Sequence, residues 1–501
     1  MIQRILTVGG FTLLSRITGF ARDVILAAVL GAGPVADAFF VALRLPNHFR
    51  AIFAEGAFNA AFVPAYARIR EEGGGLRAGQ FADRIFTLLL ASQIVLLAVA
   101  LIFTPAVIDV LAPGFSRDPG RFTLAVELTR ITFPYLLLIT LVTLYGGILN
   151  ALQRFAAAAA APILLNMSLM LALALAAFFP TAGHAAAWGV LVAGVLEFLL
   201  VAGDAGLAGC LAPISLARSS TPMCADSSAR WGLAVLGSAG VQLALFADTI
   251  IASFLPAGAL SALYYADRIN QLPIGVIGIA AGTVILPEMS RRIAYGDHHG
   301  AGQAQNRVIE FTLLLSIPCI VGIFHHSRSD HARLVHAWRL HGRRRRGGGA
   351  YANGLCFRIA AVRSYSQRRR NFFARGDTAT PVKAALIAAA VNIAFKVLLM
   401  GPLAQVGLAL ATSIGAWINL GLVIWFATRA GSLIARCAPA ALADPVCHWR
   451  TRAYRRVVDL PCAGRSLARR VGRTARPRRI GDSRSHRNGC LWRNGALPVR
   501  I

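Results

Sequence analysis

Arginine residues within otherwise apolar segments are the side chains of this sequence best suited to bind a ligand. Arg16 and Arg22 lie in residues 11–30, a stretch otherwise apolar enough to cross a bilayer. The pattern recurs in later apolar segments, at Arg44, Arg50 and Arg268. A guanidinium near the bilayer centre costs several kcal/mol, so such arginines usually face a bundle interior or a water-filled cavity. Several of them facing one cavity predict an anionic ligand, above all a phosphate ester bound through paired hydrogen bonds.

The composition is that of an all-α polytopic membrane protein. Of 501 residues, 56% are hydrophobic and 15% are charged, and the mean hydropathy is +0.60. The eight cysteines are scattered without a CxxC pair, and the histidines lack the spacing of a metal site, so we predict no metal and no cofactor. The sequence also lacks DDxxD, GxSxG, P-loop and HExxH motifs. We therefore predict that the protein is not an enzyme.

About eleven apolar segments are long enough to span a membrane, at 11–30, 36–65, 86–111, 124–149, 157–179, 185–201, 231–255, 269–286, 311–323, 384–403 and 406–427. Loop charges predict their orientation. With the N-terminus in the cytoplasm, most loops that carry arginine become cytoplasmic, in agreement with the positive-inside rule. The loops at 31–35, 180–183 and 256–259 carry no Lys or Arg and would be periplasmic. Only the loop with Arg117 and Arg121 disagrees. We expect a multi-pass protein of a bacterial inner membrane with a cytoplasmic N-terminus.

Composition divides the chain into four regions: an N-terminal transmembrane lobe (1–204), an inter-lobe cytoplasmic loop (205–230), a C-terminal transmembrane lobe (231–430) and an arginine-rich tail (431–501). Residues 324–370 also lack a spanning apolar run, and much of the net charge of +29 lies there and in the tail. These stretches could be basic arms that bind anionic lipid or nucleic acid. Frame-shifted translation of a GC-rich gene explains them better, because a basic arm seldom replaces a helix within a bundle. We therefore expect no nucleic-acid partner.

Several motifs resemble those of one transporter family. SRITGFARD, DAFFVALRLPN and FAEGAFNAAFVP begin at Ser15, Asp37 and Phe53 and occur in the family's order. Further motifs are APGF, ITFPY, YYADRI and ARGDTATPVK, which begin at Ala112, Ile131, Tyr264 and Ala374. With these motifs the chain resembles the MurJ (MviN) family, the lipid II flippases of the multidrug/oligosaccharidyl-lipid/polysaccharide exporter superfamily. The resemblance implies two pseudo-symmetric helical lobes around a central cationic cavity.

The resemblance covers about residues 5–324 and 371–430. It implies two additional C-terminal helices whose groove accepts an undecaprenyl tail. The chain departs from this pattern, because no tenth helix is recognisable between 324 and 371 and no final pair of helices follows 430. Because these helices would form the groove, the sequence does not predict a groove for the undecaprenyl tail.

The resemblance also implies which arginines bind substrate. The family's essential arginines lie in the first, second and eighth helices, and the matching positions are Arg16, Arg22, Arg50 and Arg268. There they would bind a diphosphate. The alternative is that they pair structurally with acids close in sequence, at Asp23, Asp37, Glu55 and Asp267.

Asp37 and Glu55 are the acidic residues of the second apolar segment. They could join the two lobes in one state through salt bridges that break in the other. Alternatively they form a static ion pair with Arg16 or Arg50.

A cation site is a further implication of the resemblance. Some family members bind sodium in the second lobe, and the matching positions here are Asp248, Asn392 and Thr412. Lys396 lies one turn after Asn392, and its ammonium group would take the place of the cation. We therefore predict that Lys396 pairs with Asp248.

The resulting prediction is a lipid II flippase. It would carry the undecaprenyl-diphosphate-linked peptidoglycan precursor from the cytoplasmic to the periplasmic leaflet by alternating access. Its partners would be lipid II and membrane lipids, and it would act as a monomer. The alternatives are another lipid-linked oligosaccharide or drug exporter of the superfamily, a metal-dependent membrane transferase, and an inactive frame-shifted product.

Overall fold

The computed structural model describes residues 2–50, 57–211, 245–268 and 379–429, together with short pieces between 271 and 365. Within these residues the secondary structure is helical and contains no strand. Residues Met1–Ile434 form one compact unit. The prediction of an all-α fold is confirmed.

The described residues of the first lobe form eight helices: α1 (Ile2–Leu30), α2 (Pro34–Arg50), α3 (Ala57–Ile102), α4 (Thr104–Leu111), α5 (Pro119–Thr132), α6 (Tyr135–Ala151), α7 (Ala156–Ala174) and α8 (Ala182–Leu207). Short 3₁₀ turns lie at Pro113–Arg117 and Ala176–Phe178. Besides the short pieces between 271 and 365, the described part of the second lobe contains helical residues 245–253 (α9) and 259–268 (α10) and the long helix α11 (Ala379–Arg429).

Local chemistry explains where several helices begin and break. The Asp118 side chain accepts a hydrogen bond at the N-terminus of α5, and Pro119 fills the first helical position, where no backbone donor is needed. Thr181 caps α8 in the same way. Gly74 interrupts α3 with a φ of 74°, and Ala404 interrupts α11 with a φ of 45°. Because each of these long helices exceeds the thickness of a bilayer, the breaks separate successive spans.

Five helical stretches of the described residues are long and apolar enough to cross a membrane: Phe62–Ile102, Pro119–Ala151, Ala156–Ala174, Ala182–Leu207 and Thr380–Arg429. They confirm a multi-pass membrane protein. The first and last contain the breaks at Gly74 and Ala404. The predicted span at 124–149 crosses the junction between α5 and α6. Parts of the predicted spans at 36–65, 231–255, 269–286 and 311–323 lie outside the described residues.

The two lobes meet along α1 and α2 of the first and α9 and α10 of the second. In the first lobe α7 packs against α1 and α8, while α2 packs against α5. Phe40 of α2 is fully buried and contacts two tyrosines of the second lobe. Its ring stacks on Tyr264 at 3.9 Å between centroids and meets Tyr265 edge-on at 5.4 Å. This aromatic contact sets α10 beside the arginine-bearing turn of α1.

Candidate functional site

Arg22 of α1 is held by two partners from the first lobe. Its Nε and Nη2 atoms donate to Asp23 Oδ1 at 3.1 and 2.6 Å. Its Nη1 donates to Asn166 Oδ1 of α7 at 3.0 Å. The side chain is only 15% exposed. The guanidinium is therefore fixed in direction before any ligand binds.

Arg268 of α10 approaches the same acid from the second lobe. Its Nε lies 3.8 Å from Asp23 Oδ2, and its Nη2 donates to the Tyr264 hydroxyl at 2.8 Å. The guanidinium also lies over the Tyr264 ring, 4.8 Å from the centroid. At 39% exposure Arg268 is more open than Arg22. Asp23 thus lies between two arginines that come from different lobes.

A second group of charges lies close to this trio. Arg44 Nη1 donates to Thr249 Oγ1 of α9 at 2.9 Å, and its charge interacts with those of Asp248, Asp267 and Arg268. Arg44 therefore reaches across to the second lobe and does not extend towards lipid headgroups. The Lys396 ammonium of α11 contacts Asp248.

Arg358 completes this second group. Its Nη1 lies 3.0 Å from Asp267 Oδ1. The inter-lobe cluster, defined as these described charges, consists of Arg22, Arg44, Arg268, Arg358, Lys396, Asp23, Asp248 and Asp267. Five basic groups and three acidic groups leave two positive charges in excess. Such a cluster attracts an anion of matching charge and repels cations.

The other two predicted headgroup arginines lie elsewhere. Arg16 is exposed on α1. Arg50 ends α2 and is half-buried, and its charge acts on Glu197 of α8. Glu197 is buried and accepts a hydrogen bond from the Tyr135 hydroxyl at 3.4 Å. The structure therefore brings Arg22 and Arg268 together around one acid and places Arg50 beside a different one.

Asp37 joins the two lobes through backbone groups. Its carboxylate accepts from Gly258 N at 2.5 Å and from Ser261 N at 2.8 Å, at the N-terminus of α10. Arg121 Nη2 of α5 donates to the same carboxylate at 3.2 Å. Asp37 is 0% exposed. The basic partner is thus Arg121 and neither Arg16 nor Arg50, while Glu55 lies outside the described residues.

Further contacts close the same face around Asp37. Gly114 N donates to Ser253 Oγ at 3.0 Å, and the Arg117 guanidinium lies over the Phe254 ring at 5.6 Å. The Tyr265 hydroxyl donates to Gly31 O at 3.0 Å. The loops at 31–35 and 256–259, which lack basic residues, are at this face. Arg117 and Arg121, whose loop disagreed with the charge pattern, form contacts between the lobes.

The predicted cation ligands are not joined by the contacts that the structure gives. Asp248 contacts Lys396. Thr412 donates to Leu408 O of its own helix at 2.8 Å, and Asn392 packs against Gly415. Within the described ranges no group of three His, Cys, Asp or Glu side chains could hold a metal ion.

Sequence reasoning missed two partners of the arginines. Asn166 was overlooked, although a buried amide in the otherwise apolar helix AAAAAAPILLNMSLMLALA is a signal of a polar contact. Tyr264 was seen only as part of a motif, yet it supports Arg268 through both its ring and its hydroxyl.

Comparisons with known proteins cover most of the chain. A sequence model of the family described as Lipid II flippase MurJ matches residues 26–332 and 350–446. The probable lipid II flippase MurJ of Rhizobium tropici is 38% identical over 442 residues, which are 87% of this chain and 82% of that protein.

Two solved structures are similar in fold. Lipid II flippase MurJ in an inward closed conformation has a TM-score of 0.73 at 23% identity and covers 84% of this chain and 87% of its own. An inward-facing multidrug resistance MATE family transporter of the MOP superfamily reaches 0.71 at 15% identity, covering 84% of this chain and 96% of its own.

Proposed function

The chain belongs to the MurJ family of lipid II flippases, and we propose that it moves lipid II from the cytoplasmic to the periplasmic leaflet of a bacterial inner membrane. It works as a transporter and not as an enzyme, and it acts as a monomer. The proposal rests on one observation: Arg22 of the first lobe and Arg268 of the second lobe both contact Asp23.

The substrate's diphosphate suits this arrangement. A diphosphate diester carries one ionised oxygen on each phosphorus, and the inter-lobe cluster has two positive charges in excess. Guanidinium groups bind phosphate oxygens through charge-assisted hydrogen bonds that strengthen where water is scarce. Arg22 and Arg268 are the primary ligands in this proposal, and Arg16 and Arg50 bind the headgroup at another stage. The same charge excess disfavours a cationic drug as substrate.

Transport then follows from movement of the two lobes. With the N-terminus in the cytoplasm, as this proposal has it, the contacts around Asp37 would lie on the periplasmic side and keep that side closed. Lipid II enters from the cytoplasmic side with its polyprenyl tail in the lipid. Binding of the diphosphate by both lobes draws them together, and the Asp37 contacts must break before the headgroup can leave.

Complementation of a strain depleted of its own flippase tests this proposal. Arg22→Ala, Arg50→Ala and Arg268→Ala should each abolish growth while membrane abundance stays near normal. Lysine should rescue poorly, since it lacks the planar fork of donors. Arg154→Ala is the matched control, because Arg154 pairs with Asp204 outside the cluster. Normal growth of an alanine variant at normal abundance would exclude that arginine as a headgroup ligand.

Two arginine-rich stretches carry a separate proposal. The family match omits 333–349 and ends at 446. Arg358, the partner of Asp267, lies in the second matched range, 350–446. We propose frame-shifted translation within 324–370, centred on 333–349, and again in the tail. Translating the encoding DNA in its other forward frames should reveal apolar runs of about twenty residues at both places. Frames that are polar or interrupted by stop codons would refute this, and complementation would show whether the chain is active as written.

A further inference from the structure

Asn166 makes three hydrogen bonds at one point of contact between α7 and α1. Its Oδ1 accepts from Arg22 Nη1 at 3.0 Å. Its Nδ2 donates to Ser15 O and to Thr18 Oγ1, each at 3.0 Å. The residue is 4% exposed. Because the two Nδ2 bonds fix the amide, its oxygen presents a stationary acceptor to the arginine.

These contacts leave Arg22 with donors for a ligand. A guanidinium has five N–H groups. Asp23 engages one on Nε and one on Nη2, and Asn166 engages one on Nη1. One N–H therefore remains on each terminal nitrogen.

The chemical type of each partner matters for an anionic substrate. Asn166 is an uncharged acceptor, so it can orient Arg22 without cancelling its charge. Tyr264 provides the same kind of support to Arg268 in the other lobe. The two arginines thus share a single carboxylate, that of Asp23, among the partners described here. A second carboxylate at position 166 would cancel the single net positive charge of Arg22, Arg268 and Asp23.

We propose that Asn166 is a positioning residue for diphosphate recognition: it aims the Arg22 guanidinium at the headgroup while keeping the site cationic. The inference rests on the proposed role of Arg22 as a headgroup ligand. The competing explanation is that Asn166 only ties α7 to α1 through Ser15 and Thr18. The two explanations differ in what happens to the diphosphate preference.

Binding of two lipids to the purified full-length chain in nanodiscs separates them. Undecaprenyl diphosphate and undecaprenyl phosphate share a tail and differ in the second phosphate, so the ratio of their affinities reports on the headgroup contact. Asn166→Asp should weaken diphosphate binding about tenfold, because the added carboxylate lowers the positive charge of the site and competes with the diphosphate for the N–H groups of Arg22. The expected loss is about that of one hydrogen bond between the diphosphate and a charged group. Monophosphate binding should fall less. Thr18→Val removes one anchor of Asn166 but keeps the Ser15 anchor and the Arg22 contact, so the ratio should fall less than in Asn166→Asp.

Each outcome bears on one of the two claims. An unchanged ratio in Asn166→Asp, or an equal fall in Thr18→Val, would overturn the positioning role. If Asn166→Asp does not accumulate, Asn166→Ser, which retains a neutral oxygen, should show a smaller fall in the ratio than Asn166→Ala. Equal values for these two would also overturn it. Arg22→Ala tests the underlying proposal: if it binds diphosphate normally, the headgroup site itself is wrong. In the Arg22→Ala background, Asn166→Ala, which adds no charge, should have no further effect on the ratio.

Discussion

Asp37 and Asp23 both join the first lobe to α10, but their surroundings differ. Asp37 is fully buried and accepts from two backbone N–H groups and Arg121. Asp23 is 13% exposed and lies between Arg22 and the more open Arg268, whose Nε is 3.8 Å away. One acid is sealed by the backbone, and the other is held by side chains that a ligand can reach.

The difference separates a structural contact from an exchangeable one. Removing the Asp37 carboxylate would leave Arg121 and two backbone donors buried without their acceptor, so this contact must be strong while the face is closed. Asp23 occupies a place between two arginines where a phosphate oxygen could also bind. In the proposed function a diphosphate would replace Asp23 at the arginines, whereas the fully buried Asp37 is out of reach of such a ligand. Under this proposal the face around Asp37 and the arginine site respond to different events.

Asp37→Ala should have the largest effect on stability. Loss of one partner of a buried pair costs about 3–5 kcal/mol, and the two backbone donors of α10 lose their acceptor as well. We expect a markedly lower thermal unfolding temperature for the purified protein and loss of complementation.

Asp118→Ala is the matched control for Asp37. Asp118 also accepts from the backbone at a helix N-terminus, at 3.3 Å from Arg121 N, but within the first lobe. Loss of such a cap costs about 1 kcal/mol. Equal destabilisation by the two variants would show that Asp37 is an ordinary cap and not an inter-lobe contact.

Gly114→Ala should act next most strongly, on the closed face alone. A Cβ at this position would overlap the backbone of Ser253 and Phe254, which cannot move as a flexible side chain can. Overpacking of this kind costs about 1–3 kcal/mol. In a background without other cysteines, Arg117→Cys and Phe254→Cys should cross-link through a short bifunctional reagent, and Gly114→Ala should lower the yield.

Gly120→Ala in the same segment is the control, because its Cβ would meet only Asp118 Oδ1 at 3.6 Å. It should leave the cross-linking yield unchanged. An undiminished yield in Gly114→Ala would mean that the closed face tolerates separation of these backbones.

Asp23→Asn should change stability little and substrate binding more. Asparagine keeps an oxygen acceptor for the two arginines, and no buried backbone donor loses its partner, so the unfolding temperature should fall much less than in Asp37→Ala. Because the carboxylate no longer competes for the arginines, undecaprenyl diphosphate should bind more tightly and leave more slowly, and flipping should fall. A loss of stability as large as that of Asp37→Ala would remove the distinction between the two acids.

Much of the fold could be predicted from sequence, because apolar runs determine which segments cross the membrane. Junctions within a span were harder: residues 124–149 were predicted as one span, and the structure confirms a spanning stretch at Pro119–Ala151, but the sequence did not show that α5 and α6 meet inside it at Phe133 and Pro134. A sequence pattern records hydrophobicity and does not show how two helical pieces pack against their neighbours.

The site was predictable where a charge conflicted with its surroundings. Arg22 and Arg268 were identified because a guanidinium in an apolar segment is costly and usually binds a ligand or pairs with another charge. Arg121 was assigned to a loop beside Asp118, whereas its carboxylate partner is Asp37, 84 positions away. Such partners depend on the packing of α2 against α5, which no local pattern reveals. Asn166 belongs to the same class, since its bonds join α7 to α1.

Asp248 is a third acid to compare with Asp37 and Asp23, and variants at its contact with Lys396 should have the smallest effect on activity. Lys396 is buried with its ammonium against Asp248, so the position of a cation is already taken by a charge that is part of the chain. Headgroup exposure measured in sodium-free buffer at a fixed membrane potential should therefore equal that with sodium. Lys396→Ala should create a sodium dependence, because Asp248 then lacks its ammonium partner, while Lys383→Ala, an exposed lysine of the same helix, should not. A large loss of activity by the unmodified chain without sodium would show that Lys396 does not replace the ion. If sodium is without effect, Asp248 differs from both other acids: its partner is neither backbone nor substrate, and its charge stays neutralised throughout the transport cycle.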